Sequence, residues 1–488
     1  MPGSHKRRGR PEFATRGNVT NLLEWIGGGL LCLLLLATPW MYGTTLDWSI
    51  RLMNVGSFIA AGILALCAMS NFFTAQTDSG EDGSKWNSFW KYGFLILNVF
   101  VFAFCVLALY NARASFSIAD QTFTYFDTYK KSLPTTYDTS ATRQTLLNWS
   151  AAFCAFWALR YWILRDGGSS RASGRIRINL RFRTILWILS TNGFFISIQG
   201  ILQRLSGSNE LLWRRKAYWT DPAAAFGPFS YRGNAVDYIN LLWPLALAAW
   251  WLLSRERRRT HPTPHRIVTD GPELLLIPAV VMMLAAAFMT LSRGGIVVAG
   301  ATLVAALILL LSQRGKTKLA WIYSGAVLLA VGGLVFFLSF DKIVKRFTSS
   351  TVHTLGGRIE IYENSRKIAA DYPRFGVGPG AFSSVYHLYR ESTHQPWHAW
   401  VHDDWLETRV TMGWVGFTIV LLNLGFLAGW TLSSGRPAVP WIFTALVSLG
   451  LLGCLVKAKF DFPMQTYSIF YTFVAIAAIL TSVSPARK

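Results

Sequence analysis

The sequence predicts an all-α polytopic membrane protein with about twelve transmembrane helices and one large helical external loop. Three observations predict it. Of 488 residues, 52% are hydrophobic and only 15% are charged, the composition of a chain that lives in lipid. Apolar runs close to the length that spans a bilayer recur along the chain, and a helix satisfies its own backbone there. The basic residues fall in short bursts between those runs, as the positive-inside rule expects of cytoplasmic loops. A net charge of +22 would otherwise suit a nucleic-acid partner, and its dispersal over many short loops argues against one.

Residues 1–20 are polar and basic (HKRRGR) and read as a cytoplasmic N-terminal tail or tag. The first apolar run, Leu22 to Tyr42, is longer than a signal-peptide core and lacks a small-x-small cleavage site, so it is expected to stay as a span. Further runs follow at 50–70, 92–112, 147–164, 184–203, 235–253, 273–291, 294–313, 319–340, 411–430, 440–459 and 465–483. Residues 21–340 thus hold spans one to nine, 341–410 the large loop, and 411–488 spans ten to twelve. Counting from an inside start puts both termini in the cytoplasm with the basic loops 165–183, 254–271 and 313–318. The same parity puts 113–146, 204–234, the Ser292–Gly295 turn and 341–410 outside. Arg214, Arg215 and Lys216 break the rule there; headgroup anchoring and an anionic ligand are both open readings. The cysteines Cys32, Cys67, Cys105, Cys154 and Cys454 all fall inside expected spans, with no disulfide framework or zinc spacing.

Gly356 to Gly416 is the longest polar segment, and a loop of that length is functional or disordered. Its aromatics and Gly-Pro-Gly turn favour a folded loop. Within it a helix is expected over 357–370, carrying Arg358, Arg366 and Lys367, with Glu363 and Lys367 at i,i+4 on a solvated face. Tyr362, Phe375, Tyr386 and Trp397 read as loop core rather than as sugar platforms. His387, His394 and His398 lack a compact ligand spacing, so no metal site is expected. The proline in Gly376 to Gly380 spoils a phosphate cradle, and the segment reads as a turn within a lid over the site. There is no GxGxxG, Walker loop, HExxH, GxSxG or D-x-D signature. No convincing repeat halves argue for a transporter.

Three outer stretches concentrate chemistry: Phe226 to Tyr238 (FGPFSYRGNAVDY), Ser292-Arg293-Gly294-Gly295 between two apolar runs, and His398 to Glu407 (HAWVHDDWLE). An arginine as close to hydrocarbon as Arg293 costs a few kcal/mol unless something anionic or watery meets it. Lys457, Lys459 and Asp461 interrupt the last hairpin at its outer end, as snorkelling lysines or as an anion contact.

Together these residues resemble the O-antigen ligase and O-antigen polymerase superfamily of bacterial envelope proteins. In that family a span ends in S-R-G, and an external loop carries a pattern close to fGvGpgnF, then H-N-x-x-L-E and a Gly-x-x-G helix start. Here the matches are Ser292-Arg293-Gly294, Phe375 to Phe382 (FGVGPGAF), His402 to Glu407 (HDDWLE) and Gly413-Trp414-Val415-Gly416. GPFSYRGNAVDYINLLWPLALA resembles the family's G-x-F-x-N-x-N segment, and order and spacing match over residues 220 to 420. Two departures stand out. Asp403 occupies a position more often Asn and can act only as an acceptor, and Tyr231 and Arg232 replace part of N-x-N.

The resemblance implies a GT-C-like fold and a metal-independent glycosyltransferase of the bacterial inner membrane, with a periplasmic active site and no cofactor. The donor would be a glycan on undecaprenyl pyrophosphate, and the acceptor a hydroxyl of lipid A core or of a growing glycan. Membrane lipids are the remaining partners expected. Arg293 is expected to clamp the pyrophosphate, with Arg232 second, because a planar guanidinium keeps its charge and donates paired hydrogen bonds. His402 is expected as the acceptor's base, oriented by Asp403 or Glu407, with Arg358 supporting. The plain alternatives are a snorkelling Arg293 and a locally satisfied His402. A single displacement predicts inversion at the anomeric carbon. One dominant late loop favours a ligase over a polymerase or a protein O-oligosaccharyltransferase, and a flippase or exporter of lipid-linked sugars is the reading of another class.

Overall fold

The structure, a computed structural model, describes residues 12–74, 85–165, 178–217, 221, 223–260, 271–312, a few positions between 325 and 344, 352–390, 399–433 and 439–482. The described chain forms α1 (Glu12–Trp40), α2 (Asp47–Thr74), α3 (Lys85–Tyr110), α4 (Thr139–Leu164), α5 (Leu180–Ser206), α6 (Arg232–Thr260), α7 (Leu276–Met289) and α8 (Arg293–Leu311). The loop helices α9 (Val352–Asp371) and α10 (Phe382–Tyr386) follow, then α11 (Asp404–Leu432), α12 (Trp441–Lys457) and α13 (Tyr467–Ser482). Each expected run falls on a helix except 319–340, which lies almost entirely outside the described residues. Eight described helices are long and apolar enough to cross a membrane, and α12 and α13 are shorter apolar helices. The protein is an all-α, multi-pass membrane protein. The expected cysteines lie in helices and are free thiols.

Two short hairpins interrupt the helices and were not expected: β1 (Ala114–Ser117) pairs antiparallel with β2 (Thr122–Tyr125), and β3 (Glu210–Leu211) with β4 (Arg215–Lys216). The first alternates small and aromatic residues around a turn at Gln121, whose φ of 55° is left-handed. The second exposes Arg214, Arg215 and Lys216, with Arg215 over the Tyr42 ring.

Helix α6 is the axis of the bundle. It packs against α5, α7, α8, α12 and α13, and 89% of its most apolar window is buried. An apolar helix surrounded on all sides suits that position, whereas α3, α8 and α11 bury only 28% of theirs and turn apolar faces outward. Lipid offers no hydrophobic drive for helix association, so close packing and polar contacts between helices hold the bundle. Trp40 Nε1 donates to Asn192 Oδ1 at 2.7 Å and Asn192 Nδ2 to Tyr238 OH at 3.1 Å, joining α1, α5 and α6. Asn240 Nδ2 donates to Gly295 O at 3.1 Å and joins α6 to α8.

Helix ends gather into two sets. At one end Glu24 pairs with Arg181 at 2.9 Å and Arg165 at 3.0 Å, Arg183 with Glu256 and Arg257 with Glu273. The other end carries the starts of α4, α6, α8, α11 and α13 and the end of α12, and the large loop covers it. That loop has a core of its own, formed by Ile361, Ile368, Val377, Phe382, Val385 and Tyr386. Tyr386 is loop core, as expected, and Trp397, His394 and His398 lie outside the described residues.

The Gly-Pro-Gly segment is a turn that straps the loop to α4 and α11 by hydrogen bonds. Val377 N donates to Val410 O at 3.0 Å, Gly378 N to Thr411 O at 2.9 Å, Tyr137 N to Val377 O at 3.0 Å, and Thr142 Oγ1 to Pro379 O at 2.8 Å. Where the strap crosses, α11 kinks at Gly413, whose φ is 61°. The amides freed by the kink are taken up by the loop: Trp414 N donates to Pro373 O at 2.8 Å and Val415 N to Arg374 O at 3.1 Å. A Cβ at Gly413 would overlap the Arg374 backbone in a left-handed conformation. Gly413→Ala is expected to destabilise the protein by about 2 kcal/mol or more, read as a lowered thermal midpoint in detergent. An unchanged midpoint contradicts the clamp.

Candidate functional site

The site is assembled from four chain segments at the loop-covered end. The first is the start of α6, shaped by a tight Phe226–Phe229 bridge around Gly227 (φ 63°) and by Arg232 N donating to Ala224 O at 2.7 Å. The second is the start of α8, where Leu291 takes a left-handed φ of 57° so that α7 can end and α8 begin within three residues. Arg293 is therefore the first residue of a helix whose N-terminal amides carry partial positive charge. Gly295 lets α8 lie against Val236 of α6, where a Cβ would overlap that side chain. The third segment is the turn between α12 and α13, and the fourth is the backbone from Ala399 to Asp403 that leads into α11.

These last two segments meet on a buried ion cluster. His402 Nδ1 lies 3.3 Å from Asp461 Oδ1, and Lys457 Nζ donates to Asp461 Oδ2 across four residues of the same turn. Lys457 also lies 3.8 Å from Asp237 of α6, and the side chains of Lys457, Asp461 and Asp237 are at most 3% exposed. Tyr231 OH donates to Asp461 Oδ2 at 3.2 Å. Arg358 of α9 reaches in from the loop, donating to Phe460 O at 2.8 Å and Tyr231 OH at 3.3 Å. The cluster touches both arginine-bearing helix starts: a Cβ at Gly294 would stand 3.1 Å from Lys457 Cε, and one at Gly233 2.8 Å from Asp461 Oδ2.

Charge settles the protonation of this cluster outside the spans. Burial works to raise the Asp461 pKa, but Lys457, His402 and Arg358 outweigh it and hold the carboxyl below its ordinary range. Burial, then the Asp461 charge, pushes the Tyr231 phenol up to about 12, so it stays a neutral donor. An ionised carboxylate can only accept, so the contact at Asp461 Oδ1 is a hydrogen bond donated by Nδ1–H of His402. His402 holds a left-handed φ of 60°, a strained conformation for a residue with a side chain. Its backbone is fixed by Tyr362 OH donating to His402 O at 3.0 Å.

The expected site residues divide. His402 and Arg358 are at the cluster, and Arg293 begins the helix whose next residue abuts Lys457. Arg232 stands between Tyr231 and Gly233 at the start of α6, its Nη1 donating to Ala223 O at 2.9 Å, an oxygen that also accepts from Arg204. The carboxylate expected on His402 from Asp403 or Glu407 comes instead from Asp461. Asp403 caps α11 through Leu406 N at 3.0 Å and pairs with Lys459 at 2.6 Å, while Glu407 accepts from Val401 N at 2.9 Å. Of the lysines expected to snorkel, Lys459 is exposed and Lys457 is buried. Arg366 and Lys367 are on the exposed face of α9 as expected, and Arg358 is turned inward.

The O-antigen ligase family model matches residues 278–421, which span α7, α8, the large loop and the first half of α11. This match supports membership of the O-antigen ligase and polymerase superfamily. The segment matched to the O-antigen ligase family holds Arg293, Arg358 and His402, whereas Asp461, the partner of His402, and Lys457 lie beyond it. No curated protein matches the chain.

Asp461→Asn strips the carboxylate from both Lys457 and His402 and is expected to cost about 3 kcal/mol or more, read as a lowered thermal midpoint. Because the fold depresses this pKa, the contribution is complete above the ordinary carboxylate range and is lost only as pH falls toward the lower folded value. The gap between wild type and variant should therefore hold from about pH 7 to pH 5. A gap that closes over that interval contradicts the pairing.

Proposed function

We propose that the protein is a metal-independent, inverting glycosyltransferase that moves a glycan from undecaprenyl pyrophosphate to an acceptor hydroxyl, as an O-antigen ligase does. The observation that carries the reading is the His402–Asp461 pair, held by Lys457 beside the start of α8 where Arg293 stands. In this reading the site end faces the periplasm and the basic end, with residues 1–20, the cytoplasm, in the bacterial inner membrane. Residues 21–340 and 411–488 supply the spans, and 341–410 the periplasmic loop.

His402 Nε2 takes the proton of the acceptor hydroxyl, and Asp461 stabilises the imidazolium that forms. The acceptor oxygen attacks the anomeric carbon opposite the leaving group, so the configuration inverts. As the carbon–oxygen bond to the diphosphate breaks, its electron pair stays on the phosphate oxygen. Arg293, with Arg232, stabilises that growing charge, and Arg358 fixes Tyr231 and the turn that carries Asp461. Lipid A core is the acceptor proposed, with one glycan transferred per acceptor.

The purified protein in lipid nanodiscs, given undecaprenyl-pyrophosphate glycan and lipid A core, tests this. His402→Ala should slow transfer by about 10²–10⁴-fold and Arg293→Ala by about 10²–10³-fold. The product should have inverted configuration and carry a single transferred glycan. Wild-type rates in His402→Ala, or a retained configuration, would overturn the mechanism. A ladder of lengths without an added acceptor would make it a polymerase, and glycan flux with no transfer product an exporter.

A further inference from the structure

The chemistry proposed above makes no use of Arg214, Arg215 and Lys216. They stand on the β3–β4 hairpin, all three are exposed, and none forms an ion pair among the described residues. Glu210, whose Cα faces Lys216 across the hairpin, is the one acid between 209 and 217, so positive charge is in excess there. The turn holds Leu212 and Trp213 at left-handed φ of 53° and 54°, and Trp213 Nε1 donates to Ser206 Oγ at the end of α5 at 3.3 Å. Beside the hairpin runs an apolar groove of 640 Å³, lined by Leu36 and Trp40 of α1, by Phe195, Ile198 and Leu202 of α5, and by Trp213 itself. Its α5 wall extends from Asn192 to Leu202, about 15 Å of helix. Leu36, Phe195 and Leu202 are 43%, 53% and 51% exposed, so the groove opens outward from the bundle. Arg215 lies over the ring of Tyr42, two residues past Trp40, at 5.5 Å from its centroid.

A trough for a hydrocarbon chain and a group of accessible cations therefore adjoin one another. A guanidinium stacked on a ring still presents its N–H edge to phosphate oxygens. Basic side chains at the membrane surface attract anionic headgroups, and the trough holds the chain that such a headgroup carries. We propose that the groove and the hairpin together bind an anionic membrane phospholipid, of the phosphatidylglycerol kind, with one chain along α5 and its phosphate against Arg215 and the neighbouring Arg214 and Lys216. A zwitterionic phospholipid brings the same phosphate with an ammonium that three cations repel, so net charge selects the ligand. The bilayer around the protein supplies it directly. The site shares no residue with the His402 cluster and is separate from the glycan chemistry.

The test reconstitutes the full chain in nanodiscs containing equal phosphatidylglycerol, phosphatidylethanolamine and phosphatidylcholine and measures retained lipid by native mass spectrometry. All three carry the phosphate, and only phosphatidylglycerol is net negative. Wild type should retain phosphatidylglycerol roughly tenfold over the other two. Combining Arg214→Gln, Arg215→Gln and Lys216→Gln removes the charges from exposed side chains and should bring the three lipids close to parity. Ala37→Trp, which fills the groove from α1, should lower retention of phosphatidylglycerol while the three cations stay in place. Equal retention of the three lipids by wild type, or an undiminished preference in the triple variant, overturns the proposal. So does full retention in Ala37→Trp, which would reduce the effect to charge attraction without a site. The readout is bound lipid, so its outcome is independent of whether the protein transfers glycan.

Discussion

The buried contact between Lys457 and Asp461 is the constraint on which the site depends. An ammonium and a carboxylate removed from water each carry a penalty of several kcal/mol, and only a partner in good geometry offsets it. Both side chains are 3% exposed, and Asp237 stands close by on the central helix. Because neither charge tolerates separation from the other, the end of α12, the turn after it and the start of α6 are held together. His402 joins through the second oxygen of Asp461, and Arg358 joins through Tyr231.

The loop reaches the same cluster by a different route. Its own apolar core orders it, and the strap at Gly376–Gly380 ties that core to α4 and to the kink of α11. The kink at Gly413 lets the first turns of α11 lean over the bundle while Pro373 and Arg374 satisfy the amides it frees. Left-handed backbone occurs at His402 itself and at Leu291, two residues before Arg293, and His402 and Arg293 are two of the residues proposed to act in transfer. Strain of that kind persists only where surrounding contacts over-determine it.

Much of the architecture was legible because lipid imposes a simple rule on sequence. A run of about twenty apolar residues has to satisfy its backbone internally, so hydropathy located every described helix of the bundle. The hairpins at 114–125 and 210–216 are too short for that rule to register. Arg293 and His402 were legible as polar residues in motifs at the ends of apolar runs. Asp461 was visible only as an interruption in the last hairpin, because nothing in a linear sequence pairs it with a histidine 59 residues earlier. Adjacency misled at Asp403: consecutive residues at a helix start point in different directions, and a D-x-x-L start commits the first carboxylate to capping. The inward turn of Arg358 depends on the packing of α9, which periodicity alone does not resolve.

A double-mutant cycle on glycan transfer, combining His402→Ala with Asp461→Asn, tests the central claim most directly. If Asp461 acts through His402, the double variant is no slower than the slower single variant, since residues that work as a unit are not additive. Losses that multiply, or a wild-type protein that transfers no glycan, would contradict it.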